Sequence, residues 1–207
     1  GERVRVELIE SLLRGTPQTA SIETSPNLVY TRDTITVTRA GALAMRMKSR
    51  VRRREPRLAW TALAKLGVPG LSKIRAPATM EGGDLMFLDE STLLVGVGNR
   101  TTMSAVRQVL GMGEPHGLET VVAVHLPNWV IHLDGTMMII DRDLALVHRE
   151  ALRRGAIVLR RGERPTRTEM PVFLKRRGFR FIEVTAHERR RRATNVITLG
   201  PRKLIAY

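Results

Sequence analysis

The sequence predicts a mixed α/β fold built from repeated modules, each a β-hairpin followed by a helix and a further strand. Three observations predict it. Alternating apolar and polar stretches occur in pairs separated by short polar turns. Helical stripes closed by glycine follow the pairs. The order hairpin, helix, strand then returns about every fifty residues, a period that marks a propeller-like or otherwise repeated architecture.

The elements follow in order. Residues 1–14 carry Val6, Leu8, Ile9, Leu12 and Leu13 at helical spacing. They read as the tail of a preceding helical segment, which suggests a chain that starts inside a larger protein. Residues 15–26 are a polar loop with Pro17, Ser25 and Pro26. In the first module, LVYTRDTITVTRAG alternates like a half-buried strand, ALAMRMKS is a second strand, and PRLAWTALAKLG is a helix closed by Gly67. In the second, DLMFLDESTLLVGVG is a hairpin turning at DES. TTMSAVRQVLGM is a helix with Thr101 or Thr102 as N-cap, and LETVVAVHL is a strand. In the third, WVIHLDGTMMIIDRDLALVH is a hairpin turning at DRD. EALRRG is a short helical turn, PVFLKRRG a helix and FRFIEV a strand. NVITLGPRKLIAY is a last hairpin-like pair turning at Gly200-Pro201. The arginine-rich stretches Arg50–Arg54 and Arg189–Arg192 read as loops. No linker divides the chain, so residues 1–207 are expected to form one domain.

Composition narrows the function classes. A hydrophobic fraction of 43% supports a folded core. The net charge of +15 is almost all arginine, against five lysines. A polyanion binder can carry such a balance, but an aromatic fraction of 4% leaves few stacking platforms for single-stranded nucleic acid. Nucleic acid is therefore ranked low as a partner. The absence of cysteine excludes disulfides, thiolate metal sites and thiol chemistry within these residues. No apolar run approaches the roughly 18 residues of a membrane span, and no signal-peptide h-region is visible. A cytoplasmic location is the expectation.

The chemistry concentrates at the ends of apolar runs. His132 and Asp134, in WVIHLDG, are two residues apart on an expected buried strand and would share one face. A buried carboxylate beside a histidine needs a partner. Glu81-Gly82-Gly83-Asp84 opens the second hairpin, where two glycines allow close backbone approach. Asp33 closes PNLVYTRD. Several carboxylates gathered in a chain of +15 suit a flat cation: guanidinium stays protonated and offers five N–H donors in a planar fork.

PNLVYTRD, VRRRE, EGGD, GVGNRTT, HLD and NVITLGPRKLIAY, in that order, resemble arginine deiminases of the guanidine-modifying, pentein superfamily. The resemblance runs from about Ser25 to Tyr207. It implies a five-bladed α/β propeller, of which this chain holds about three blades. It implies that Asp33 and Asp134 grip the substrate guanidinium, and that Glu81 orients His132, the general acid and then base. Asn27, Arg52 and Arg100 would hold the α-carboxylate, with Tyr30 beside the aliphatic chain. Gly135 stands where the family more often has a larger residue. The implied reaction converts L-arginine to L-citrulline and ammonia through a covalent cysteine intermediate, with no cofactor and no metal. The family's cysteine lies in a Gly-rich loop after the LIAY strand. The expectation is thus a chain truncated at both ends, inactive by itself, and self-associating through exposed sheet edges.

Four rivals remain. A catalytically dead, naturally cysteine-less relative would keep every other site residue. An amidinotransferase or a dimethylarginine hydrolase would share the superfamily, although Arg52 and Arg100 favour free arginine. His132-X-Asp134 with His187 has the spacing of a non-haem iron triad, but leaves EGGD and PNLVYTRD unexplained. A basic nucleic-acid-binding protein would use Arg50–Arg54 and Arg189–Arg192 for phosphate contacts.

Overall fold

Three ββαβ modules succeed one another in the computed structural model, which describes residues 27–206 together with Ser11, Leu13, Arg14, Gly15 and Ser25. Most of the helix expected over residues 1–14, and the loop expected over 15–26, lie outside the described residues. Within the first of these stretches Ser11 and Leu13 are helical, and Leu13 packs on Leu28, Leu58 and Ala62.

In the first module β1 (Ile35–Thr38) and β2 (Gly41–Ala44) form an antiparallel pair, and β3 (Gly70–Lys73) joins β2 in parallel. Helix α1 (Glu55–Lys65) makes the crossover. Pro56 opens it, Leu58, Ala59 and Ala62 form its buried stripe, and Gly67 at φ 78° closes it. The second module repeats the plan with β4 (Leu85–Phe87), β5 (Thr92–Val97), α2 (Met103–Gly111) and β6 (Thr120–His125). Thr102 caps α2 by accepting the Ala105 N–H. Strands β5 and β6 run parallel and are buried on both faces, which explains their unbroken apolar runs TLLVGV and TVVAVH. Leu93, Val95, Val121 and Ala123 face a core shared with β2 and α2; Leu94, Val122 and Val124 face a core shared with the third module.

The third module pairs β7 (Met137–Asp141) with β8 (Leu144–Val147), and β11 (Arg180–Glu183) lies parallel to β8. Before its helix α3 (Met170–Arg176) comes an inserted hairpin, β9 (Ala156–Arg160) and β10 (Thr166–Thr168). This hairpin leaves its own module and extends the sheet of the second, with β9 antiparallel to β6. Helix α4 (Ala186–Arg190) starts with a full capping box, Thr185 and Glu188. A two-stranded sheet, β12 (Ile197–Gly200) and β13 (Lys203–Ile205), follows and rests on β7 through Thr198 Oγ1 to Ile139 O and Arg202 N–H to Ile140 O.

Several expectations need correcting. The long strand expected from Leu28 to Gly41 is a 3-10 turn, Thr31–Asp33, followed by the short β1. The segment WVIHLDG is not strand: His132 is extended and Leu133–Gly135 is another 3-10 turn, so His132 and Asp134 do not alternate across a sheet. Val51–Arg54 is a 3-10 turn rather than a loop, and Arg52 within it is buried. Arg189 and Arg190 end α4 rather than lying in a loop.

The three modules share one device. A 3-10 turn leads into the first strand of each: Thr31–Asp33 before β1, Gly82–Asp84 before β4, Leu133–Gly135 before β7. The residues just ahead of these turns are Tyr30, Glu81 and His132, and the last two are 51 residues apart. The turns pack side by side, the second between the first and third.

Candidate active site

The packed turns bring together side chains that are far apart in sequence. Glu81 is completely buried, and its Oε2 lies 2.9 Å from His132 Nε2. Its other oxygen accepts the Lys48 N–H at 3.0 Å and faces Arg100 Nη1 at 3.5 Å. Burial alone would raise the Glu81 pKa; the bonds from His132 and Lys48 and the charge of Arg100 outweigh it, and the carboxyl titrates below its ordinary range. His132 shifts the opposite way. Burial disfavours its charge, but the bond to Glu81 and the charges of Asp84, Asp33 and Asp134 raise its pKa. Each partner thus favours the charged form of the other, carboxylate on Glu81 and imidazolium on His132.

On the other side of the ring, His132 Nδ1 stands 3.8 Å from Asp33 Oδ1. Asp33 accepts the Gly83 N–H on Oδ1 at 3.2 Å and Arg52 Nη1–H on Oδ2 at 2.8 Å. The glycines of EGGD are required by this crowding. A Cβ on Gly82 would lie 1.9 Å from the Arg32 carbonyl oxygen, and one on Gly83 would lie 2.7 Å from His132 Nδ1. Asp134 reaches the cluster from the third turn with 22% of its side chain exposed, opposite Arg32 Nε at 3.7 Å. Burial raises its pKa, and the charges of Arg32 and His132 only partly offset this.

Arg52 is committed within the protein. Beside Asp33 it donates to Glu55 Oε2 at 2.9 Å and to the carbonyls of Asn27 and Tyr30 at 3.4 and 3.5 Å, with 9% of its side chain exposed. Its guanidinium stands 5.9 Å from the centre of the Tyr30 ring, which is half exposed. Arg100 is more open, at 32% exposure. The structure therefore gathers Asp33, Glu81, His132, Asp134, Arg52 and Arg100, and places Tyr30 and the Asn27 main chain at their border.

Four contributors escape a reading of the motifs alone: Glu55, which balances Arg52; Arg32, which faces Asp134; and Asp84 with Thr101. Asp84 is 1% exposed, accepts from Thr101 Oγ1–H at 2.6 Å and from the Leu133 N–H at 3.0 Å, and is pushed by burial up to about 7. A signal for Glu55 is present in the sequence, since Arg52 and Glu55 are three residues apart within one VRRRE motif.

Asp33, Glu81 and His132 each offer an atom within 4.8 Å of the others, a spacing a cation could bridge. The 2.9 Å contact between Glu81 and His132 is a direct hydrogen bond, and Asp33 is already held by Arg52 and Gly83. His187, needed for the iron triad, is exposed on α4 and does not belong to this group.

The family profile described as arginine deiminase matches residues 13–207. The chain belongs to the arginine deiminase family. Among curated relatives of this family member, the arginine deiminase of Staphylococcus haemolyticus is 31% identical over 139 residues, 61% of this chain and 34% of the relative. The N(G),N(G)-dimethylarginine dimethylaminohydrolase of Streptomyces coelicolor is 33% identical over 119 residues, 55% of this chain and 45% of the relative. The chain thus spans about a third of the length of the curated arginine deiminases it matches. Among solved structures, a dimethylarginine dimethylaminohydrolase adduct with S-methyl-L-thiocitrulline matches with a TM-score of 0.68 at 23% identity, covering 95% of this chain and 71% of the other. The product-bound N-terminal domain of ArgZ, a cyanobacterial arginine dihydrolase, matches with a TM-score of 0.68 at 17% identity, covering 95% and 69%. At these identities the likeness establishes the mixed α/β fold common to this arginine deiminase family member and those enzymes. No helix among its described residues is long and apolar enough to cross a membrane.

Proposed function

We propose that this chain carries the guanidinium-binding and acid–base half of an enzyme that hydrolyses L-arginine to L-citrulline and ammonia. The carrying observation is the Glu81–His132 pair at 2.9 Å, with Asp33 3.8 Å from the same ring and Asp134 close enough for its charge to act on it. In this reading the two aspartates hold the planar cation, and Arg100 takes the α-carboxylate. Arg52 joins Arg100 and Asn27 there by giving up part of its bonding to the Asn27 and Tyr30 carbonyls. Tyr30 lies along the aliphatic chain.

A thiolate attacks the guanidinium carbon, and the His132 imidazolium gives its proton to the departing ammonia. Neutral His132 then takes a proton from water, which attacks the thiouronium carbon; the thiolate leaves and citrulline forms. The buried Glu81 carboxylate stabilises the imidazolium in both steps. The 207 residues contain no cysteine, so the thiolate is not among them. The three modules are read as blades of a five-bladed propeller whose axis passes between the 3-10 turns.

The test is citrulline formation by the protein at its natural length, with L-arginine and with N(G),N(G)-dimethylarginine. Turnover of arginine, lost in His132→Ala and Asp33→Ala, supports the reading. Preference for the dimethylated substrate moves the assignment to the dimethylarginine hydrolases, a reading favoured by the Streptomyces coelicolor relative. Equal rates in wild type and both variants refute the site.

A further inference from the structure

We propose that Thr101 and Asp84 are positioning residues that lock His132 against Glu81 by closing a ring of hydrogen bonds around the pair. The Glu81 N–H donates to Thr101 Oγ1 at 3.2 Å, and the Thr101 hydroxyl donates to Asp84 Oδ2 at 2.6 Å. Asp84 Oδ1 accepts the Leu133 N–H at 3.0 Å. Leu133 directly follows His132, whose Nε2 meets Glu81 Oε2 at 2.9 Å and completes the circuit. The circuit therefore links the backbone of both members of the pair as well as their side chains.

With the Asp84 carboxyl ionised, the directions around the ring are fixed. The Glu81 N–H can only donate, so Thr101 Oγ1 accepts there and spends its one proton on Asp84. Asp84 accepts at both oxygens. Thr101 and Asp84 are 0% and 1% exposed, so water does not compete for these bonds. Gly96 leaves the space: a Cβ there would lie 2.5 Å from Asp84 Oδ1.

The same device appears one module earlier, where Asp33 accepts the N–H of Gly83 in the next 3-10 turn. Asp33 and Asp84 each close the turn of their own module and clasp the turn of the following one. Only Asp33 also faces the His132 ring at 3.8 Å as a candidate ligand-binding group. Asp84 is shut away from ligand, which leaves alignment of the pair as its role. The catalytic meaning of this alignment rests on the proposed arginine hydrolysis; the alignment itself does not.

The experiment observes the His132 ring N–H by NMR in this chain labelled with ¹⁵N-histidine, assigned by its loss in His132→Gln. A proton held on a buried carboxylate is downfield and slow to exchange. Thr101→Ser, which keeps the hydroxyl, should retain the resonance. Thr101→Val and Asp84→Leu, which remove ring members, should lose it or move it upfield while the chain still unfolds cooperatively. An unmoved resonance in either folded variant overturns the proposal, and so does its loss in folded Thr101→Ser. If Thr101→Val does not fold, Asp84→Leu and Thr101→Ser still decide it. At natural length, Thr101→Val should lower kcat on the order of tenfold with KM little changed. A wild type that forms no citrulline, with the resonance behaving as expected, would sink the reaction and leave the ring standing.

Discussion

Replacing Asp84 by Asn should make the protein more stable above neutral pH, although it alters a group beside the candidate active site. Asp84 is 1% exposed, and its two hydrogen-bond donors are neutral, Thr101 and the Leu133 N–H. Burial is the main cause of its raised pKa, with the nearby His132 charge opposing it. Its pKa moves from 3.8 to about 7 on folding. At about 1.36 kcal/mol per pKa unit, the ionised carboxylate costs the folded state up to about 4 kcal/mol. The folded protein holds this proton more tightly than the unfolded chain does. Stability from this group is therefore complete below about pH 4, falls as pH rises to about 7, and is flat above. Asn keeps an acceptor for Leu133 and carries no charge to bury. Urea unfolding of both proteins from acidic to mildly alkaline pH reads the difference. The gap in favour of Asp84→Asn should open between about pH 4 and 7 and approach, at most, about 4 kcal/mol. Parallel curves over that range would refute the argument that burial of Asp84 outweighs its neutral donors and the nearby His132 charge.

Other perturbations have equally definite outcomes. Arg52→Met leaves Glu55 and Asp33 buried without their shared cation, and should cost about 3–5 kcal/mol in chemical denaturation; a loss under about 1 kcal/mol would mean that the pairing is dispensable. Gly82→Ala meets the Arg32 carbonyl oxygen at 1.9 Å and should lower the unfolding midpoint sharply. Gly83→Ala meets the movable His132 ring and should instead displace it, seen as a shifted ring resonance in a folded chain. The raised His132 pKa contributes stability that is complete below about pH 6.5 and is lost as pH rises through its folded value. His132→Gln should remove that component, so the difference between the two stability curves should narrow across that rise; a constant difference would count against the Glu81 bond.

The helices and hairpins that can be read directly are those whose signals are local. Pro56, the apolar stripe and Gly67 mark α1, and the pair Thr101-Thr102 marks the start of α2, without reference to anything distant; the structure selects Thr102 as the cap. The inserted β9–β10 hairpin escapes such a reading because AIVLR is a short apolar run that fits several elements, and its partner β6 is remote in sequence. The 3-10 turns pass for strand in the sequence because HLD alternates polar and apolar residues and TRD runs straight into the alternating TITVT. Motif order finds Asp33, Glu81, His132 and Asp134. It gives no hint that Arg52, in a short stretch rich in arginine, is buried on two carboxylates, since burial is a property of how α1 meets the first turn.

The insertion of β9–β10 has a mechanical consequence. In a row of modules that touch only their neighbours along one edge, each unit can open almost independently, and the whole behaves as a chain of weakly coupled parts. Here the third module lends two strands to the sheet of the second before its own helix and last strand are laid down. Pulling this hairpin away tears hydrogen bonds that belong to the sheet of the second module. The turns that follow Glu81 and His132 belong to the second and third modules, so the shared sheet couples the two units that carry the pair.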